Sequence, residues 1–131
     1  MVINEELIDK VWAKGVKVPG YSETQIKKDA CGAWIRRDAY GNHESPFGWE
    51  IDHIFPQKKL SSFNVTQSVI DCIQNLRPLQ WANNLSKGTD YPSYRAKIKA
   101  DGLKNVEQET FFTVNQPTQS DLNQIFDKYL R

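Results

Sequence analysis

Apolar and polar positions along the chain mark out a series of short elements. Leu7, Ile8, Val11 and Trp12 recur at helical spacing behind Asn4 as N-cap and two first-turn glutamates, and Gly15 ends the run. A short N-terminal helix over 4–14 is expected. Pro19-Gly20 breaks the pattern, and Ser22-x-x-Gln25 can start one or two helical turns through Ile26. Ala33 to Arg37 and Phe47 to Asp52 read as extended segments that form a hairpin across the turn-rich stretch Tyr40 to Pro46. From Pro56 to Asp71 no period is visible, which predicts a long surface loop, and loops of that length are usually functional. Leu76 to Leu79 reads as a strand and Gln80 to Lys87 as a helix closed by Gly88. Tyr94, Ala96 and Ile98 alternate with Arg95, Lys97 and Lys99, and Thr110 to Val114 carries β-formers, so a second hairpin is expected there, with helical readings open. The stripe Leu122, Ile125, Phe126, Tyr129 and Leu130 predicts a terminal helix capped by Thr118 or Ser120 after Pro117.

A chain of 131 residues with 39% hydrophobic and 25% charged side chains fits one globular domain, 1–131, with a core that needs no disulfides. Its aromatic content and evenly mixed charge argue against a disordered chain. No apolar run is long enough for a membrane span, and the N-terminus lacks the basic and apolar regions of a secretion signal. A cytoplasmic location with no membrane partner is the expectation. The two cysteines, Cys31 and Cys72, lie in no C-x-x-C pair, so a four-cysteine zinc ribbon cannot be built from this chain. A net charge of +1 does not announce a polyanion binder, yet the distribution is uneven. Between 77 and 104, Arg77, Lys87, Arg95, Lys97, Lys99 and Lys104 face only Asp90 and Asp101.

The constellation that carries chemistry is Asp52-His53-x-x-Pro56, Asn75-Leu76 and Asn84-x-x-Lys87. In an extended segment Asp52 and His53 point to opposite faces, and a strand that stops at the pair frees the imidazole to turn inward. Asp52 offers a hard anionic oxygen and Asn84 a neutral amide oxygen, of the kind Mg²⁺ accepts with phosphate and water completing its shell. An imidazole titrates near neutrality and suits a general base that takes a proton from water. Phosphodiester hydrolysis needs that activated water together with charge stabilisation at the phosphorus and a Lewis acid at the leaving oxygen.

These residues resemble the HNH endonuclease family, whose ββα-metal motif joins two strands and a helix around one divalent ion, over roughly residues 47 to 88. The His-Asn-Asn form resembles the HNH domain of RNA-guided CRISPR nucleases, which also carries a Lys three residues past the final Asn, here Lys87. Asp29-Ala30-Cys31-Gly32-Ala33-Trp34 leading into the motif looks like the small stand-alone bacterial HNH proteins. The resemblance implies an α+β fold: a ββα-metal (HNH) core with an N-terminal helix and a C-terminal hairpin-plus-helix extension. It implies a metal-dependent endonuclease with His53 as general base, Asn75 steadying the loop and imidazole, and one divalent ion, Mg²⁺ first and Mn²⁺ or others open, on Asp52 and Asn84. No structural zinc is expected; packing by Trp34, Trp49 and Trp81 takes the place of zinc-bound cysteine pairs.

Lys87 and Arg77, in the positive segment, are expected to contact substrate phosphates. His43 reads as a solvated turn residue, and Glu50, which shares a strand face with Asp52, reads equally as a support behind the Asp52 site and as an exposed strand carboxylate. The implied partner is DNA, most simply double-stranded. RNA stays open because nothing in a one-metal site rejects a 2′-hydroxyl. Two further readings stand beside the enzyme: a non-catalytic nucleic-acid-binding module of the same fold, and a toxin or effector nuclease neutralised by an acidic immunity protein, as in the DNase colicins.

Overall fold

Asn4 accepts the Leu7 amide at 2.9 Å and opens helix α1 (Glu5–Trp12) in the computed structural model, which describes Met1–Arg131. Six strands follow in antiparallel pairs: β1 (Ile26–Lys28) with β2 (Trp34–Arg36), β3 (Trp49–His53) with β4 (Leu76–Gln80), and β5 (Ser93–Asp101) with β6 (Lys104–Thr113). Short helices α2 (Gln57–Ser61) and α3 (Gln67–Ile70) lie between β3 and β4, α4 (Trp81–Lys87) follows β4, and α5 (Gln116–Leu130) ends the chain. The architecture is mixed α+β, with an N-terminal helix and a C-terminal hairpin and helix. No helix is long and apolar enough to cross a membrane.

Four expectations need correcting. The Ser22 carbonyl accepts the Gln25 and Ile26 amides, but that turn leads into β1 instead of a helix. The segments around Trp34 and Trp49 are both extended, yet they do not form a hairpin with each other. The reason is Asp29, 2% exposed, whose Oδ1 accepts the Cys31 and Ala33 amides at 2.9 Å and folds the chain back at once through Gly32 (φ +84°). That leaves β3 to pair with β4. The supposed loop 56–71 contains α2 and α3, because Leu60, Val65 and Ile70 are all buried against Leu79, Leu122 and Phe126. Asn115, not Thr118 or Ser120, caps α5, accepting the Thr118 amide, and Pro117 sits in the first turn.

Residues directly opposite in an antiparallel ladder share a face. Trp49↔Gln80, Ile51↔Pro78 and His53↔Leu76 therefore turn one way, and Glu50↔Leu79 and Asp52↔Arg77 the other. On the first side Trp49 and Leu76 pack with Ile8, Val11, Trp12 and Ile35 in an α1-centred core. On the second, Leu79 joins the larger core with Tyr94, Ala96, Leu122 and Phe126. The β3–β4 ladder is thus a partition between two cores, and its two faces carry different chemistry.

Two buried side chains lock α4 to this ladder. The other oxygen of Asp29 accepts the Gln80 amide at 2.9 Å and the Asn83 Nδ2 at 3.0 Å. Burial pushes the Asp29 carboxyl above its usual range, and its hydrogen bonds from Asn83, Gln80, Ala33 and Cys31 oppose that rise without cancelling it. Asn83 accepts the Lys97 and Ile98 amides and donates to the Ile98 carbonyl, clamping β5 where its register with β6 shifts.

Candidate functional site

On the α4 side, Asp52 is 4% exposed and both its oxygens are engaged. Arg77 Nε donates to Oδ2 at 2.9 Å, and Lys87 Nζ lies 3.2 Å from Oδ1. Lys87 is itself 1% exposed and also donates to the His53 carbonyl at 3.2 Å. Burial lowers the Lys87 ammonium below the usual lysine range, and the neighbouring Asp52 charge only partly restores it. Arg77 rests on the Tyr94 ring at 5.1 Å, and its buried Nη2 has no hydrogen-bond partner. Both cations point inward, so neither stands at the surface where a phosphate contact was expected.

Asn84 follows Asn83 on α4 and faces β3: its Nδ2 donates to Glu50 Oε1 at 3.2 Å. Helical spacing from Asn84 to Lys87 matches strand spacing from Glu50 to Asp52, so the helix sets an amide and an ammonium against two carboxylates. The implied divalent ion between Asp52 and Asn84 does not fit these residues. Two cations already balance the single Asp52 charge, one guanidinium N–H beside it is unpaired, and Asn84 turns to Glu50. A further positive charge would be repelled there.

His53 lies on the opposite face. The ladder runs through the Asp52-His53 pair instead of stopping at it, so the imidazole does not turn toward Asp52. Its Nε2 is 2.7 Å from Asp71 Oδ1, with side-chain exposures of 16% and 9%. Asp71 also receives Gln67 Nε2, which reaches on to Gln57 Oε1 at 2.7 Å. Burial alone would raise the Asp71 carboxyl, but the hydrogen bonds from His53 and Gln67 and the charge of His53 outweigh it and hold it below its usual value. A carboxylate on Nε2 fixes the proton there in the neutral ring and leaves Nδ1 as the basic nitrogen.

Asn75, fully buried, binds both members of this pair by their neighbours. Its Oδ1 accepts the Phe55 amide at 2.8 Å, and its Nδ2 donates to the Phe55 carbonyl at 3.1 Å and the Ile70 carbonyl at 3.0 Å. Phe55 follows His53 by two residues and Ile70 precedes Asp71, so one amide sets the spacing of imidazole and carboxylate.

The structure therefore groups Asp52, Asn84, Lys87 and Arg77 on one side of the ladder, and His53 with Asn75 near its open end on the other. Sequence reasoning missed Asp71, which lies in an aperiodic segment without a motif; its only signal is that α3 and a buried Ile70 deliver it beside β3. It also passed over Glu50 and His43, which meet at 3.1 Å. Trp49 is fully buried and Trp34 nearly so, whereas Trp81 is partly exposed and stacks on His43. Comparison with family models, curated proteins and solved structures returns no match to this chain.

Proposed function

We propose that the protein hydrolyses phosphodiester bonds in nucleic acid, DNA first, as an endonuclease of the HNH type with His53 as general base. The observation that carries this reading is the His53–Asp71 hydrogen bond of 2.7 Å at the end of β3. An imidazole whose tautomer is set by a carboxylate, and whose surroundings are pinned by Asn75, is prepared to accept a proton from water. The order of β3, β4 and α4 around Asp52-His53, Asn75 and Asn84 supports the same reading. In it, Nδ1 of His53 takes the proton of the attacking water and Asp71 balances the imidazolium that forms. The triad Arg77–Asp52–Lys87 braces β3 against β4 and α4, keeping the backbone of His53 in place.

The buried triad also supports a second reading, a non-catalytic nucleic-acid-binding module of this fold. Nicking of supercoiled plasmid by the wild type, in Mg²⁺, in Mn²⁺ and in chelator, separates the two. Turnover that His53→Ala abolishes without loss of fold supports the enzyme. Undiminished cleavage by that variant refutes His53 as base, and salt-dependent binding without turnover selects the module.

A further inference from the structure

Of the two carboxylates on the α4 face of β3, one has no lysine or arginine partner. Asp52 is held by Arg77 and Lys87, whereas Glu50 meets His43 Nε2 at 3.1 Å through Oε2 and Asn84 Nδ2 at 3.2 Å through Oε1. Accessibility differs in the same sense: the Glu50 side chain is 33% exposed and that of His43 56%, against 4% for Asp52. The imidazole is oriented by stacking on Trp81, the first residue of α4, with centroids 4.9 Å apart and planes 15° from parallel. The turn before β3 and the helix thus each bring one polar group to the half-exposed Glu50 carboxylate, one at each of its oxygens.

The spacing suits a shared ion. Two ligand atoms at right angles on a divalent cation, each about 2.1–2.2 Å from it, stand about 3.0–3.1 Å apart. His43 and Glu50 already have that separation, so an ion can replace their hydrogen bond with little movement. A half-turn of the Asn84 amide puts Oδ1 where Nδ2 now stands.

We propose that His43, Glu50 and Asn84 form a divalent-cation site. An imidazole, a carboxylate and an amide oxygen favour a borderline ion such as Zn²⁺, Mn²⁺ or Co²⁺, with water in the remaining positions. The site shares Asn84 with the implied Asp52–Asn84 pair but leaves out Asp52, where Arg77 and Lys87 oppose a cation. It is also independent of His53, whose imidazole lies across the ladder.

Titration of the chelator-treated full chain with Mn²⁺ followed by electron paramagnetic resonance, and with Zn²⁺ followed by calorimetry, tests the site without nucleic acid. One ion per chain is expected. Glu50→Gln and His43→Ala should each weaken binding by about tenfold or more, while Glu109→Gln, a change in an exposed acid on β6, leaves it unaltered. The two site variants alter exposed or half-exposed side chains, and circular dichroism verifies that they fold. No ion bound at millimolar concentration overturns the proposal. So does affinity that survives His43→Ala undiminished, even where Glu50→Gln removes it, because the imidazole is then not a ligand. Neither result bears on nicking by His53, which the plasmid assay reads separately.

Discussion

Asp52→Asn distinguishes a structural from a metal-ligating role for this residue, and the structure sets the size of the effect. Wild-type Asp52 balances two cations at 2.9 and 3.2 Å in a setting where Arg77 and Lys87 side chains are 11% and 0% exposed. The amide is nearly isosteric, so little packing is lost, but two buried positive charges lose their counter-ion. Breaking a buried pair in this way costs about 3–5 kcal/mol, a large part of the roughly 5–15 kcal/mol that holds a domain of this size together. The melting temperature should fall by about 10–20 °C. A carboxylate kept only to bind metal would behave oppositely, since its removal leaves the ion-free protein as stable or more so. Denaturant unfolding in chelator measures the difference. The loss should also shrink at alkaline pH: Lys87 has a lowered folded pKa, so the unfolded chain binds more protons between that value and 10.5, and stability rises with pH there. Without Asp52 the folded pKa falls further and the window widens downward. Lys87→Met in the Asp52→Asn background should recover part of the stability. An Asp52→Asn protein as stable as wild type in chelator would refute the triad argument.

Three other perturbations test neighbouring claims. Asp71→Asn should cut the nicking rate constant by about 10²–10⁴ with little change in KM, because the amide no longer dictates the ring tautomer; a purely structural Asp71 would leave the rate intact in folded protein. The same variant should lose an acid-range slope in stability: the lowered Asp71 carboxyl contributes above its unfolded value of 3.8, and that contribution disappears as pH falls through the folded pKa. Asn75→Ala strands the Phe55 amide and the Phe55 and Ile70 carbonyls and should cost about 3 kcal/mol in urea unfolding. Gly48→Ala would put Cβ 1.9 Å from the Asn42 carbonyl oxygen, so it should destabilise by about 3 kcal/mol or more, read as a drop in melting temperature.

Where an element carries its own signal, the chain displays it. α1 has a cap, an apolar stripe and a stop; β4 runs into α4 at Gln80, whose side chain accepts the Ala82 and Asn83 amides; β5 alternates cleanly as Tyr94 and Ala96 turn inward. Pairing partners are a different kind of information. Asp29 resembles any other surface acid until four groups, the amides of Cys31, Ala33 and Gln80 and the Asn83 side chain, are seen to converge on it, and that convergence decides that β2 folds onto β1. The stretch 57–70 hides its helices because Leu60, Val65 and Ile70 meet the core at intervals of five, which match neither a helix nor a strand period. Adjacent asparagines at 83 and 84 are indistinguishable by type, yet one clamps β5 and the other faces β3.

The motif letters at 52, 53, 75 and 84 were legible, but their sidedness was not, because it turns on whether one more residue pair belongs to the ladder. His53↔Leu76 is that pair, and with it in place alternation sends carboxylate and imidazole apart. The Lys87 ammonium touches both residues from the α4 side, binding Asp52 Oδ1 and the backbone carbonyl of His53 at 3.2 Å each. Removing the Lys87 ammonium would therefore free one Asp52 oxygen and the His53 carbonyl together. Lys87 is thus the one side chain by which α4 holds both the Asp52 carboxylate and the backbone of His53, and it does so from a fully buried position.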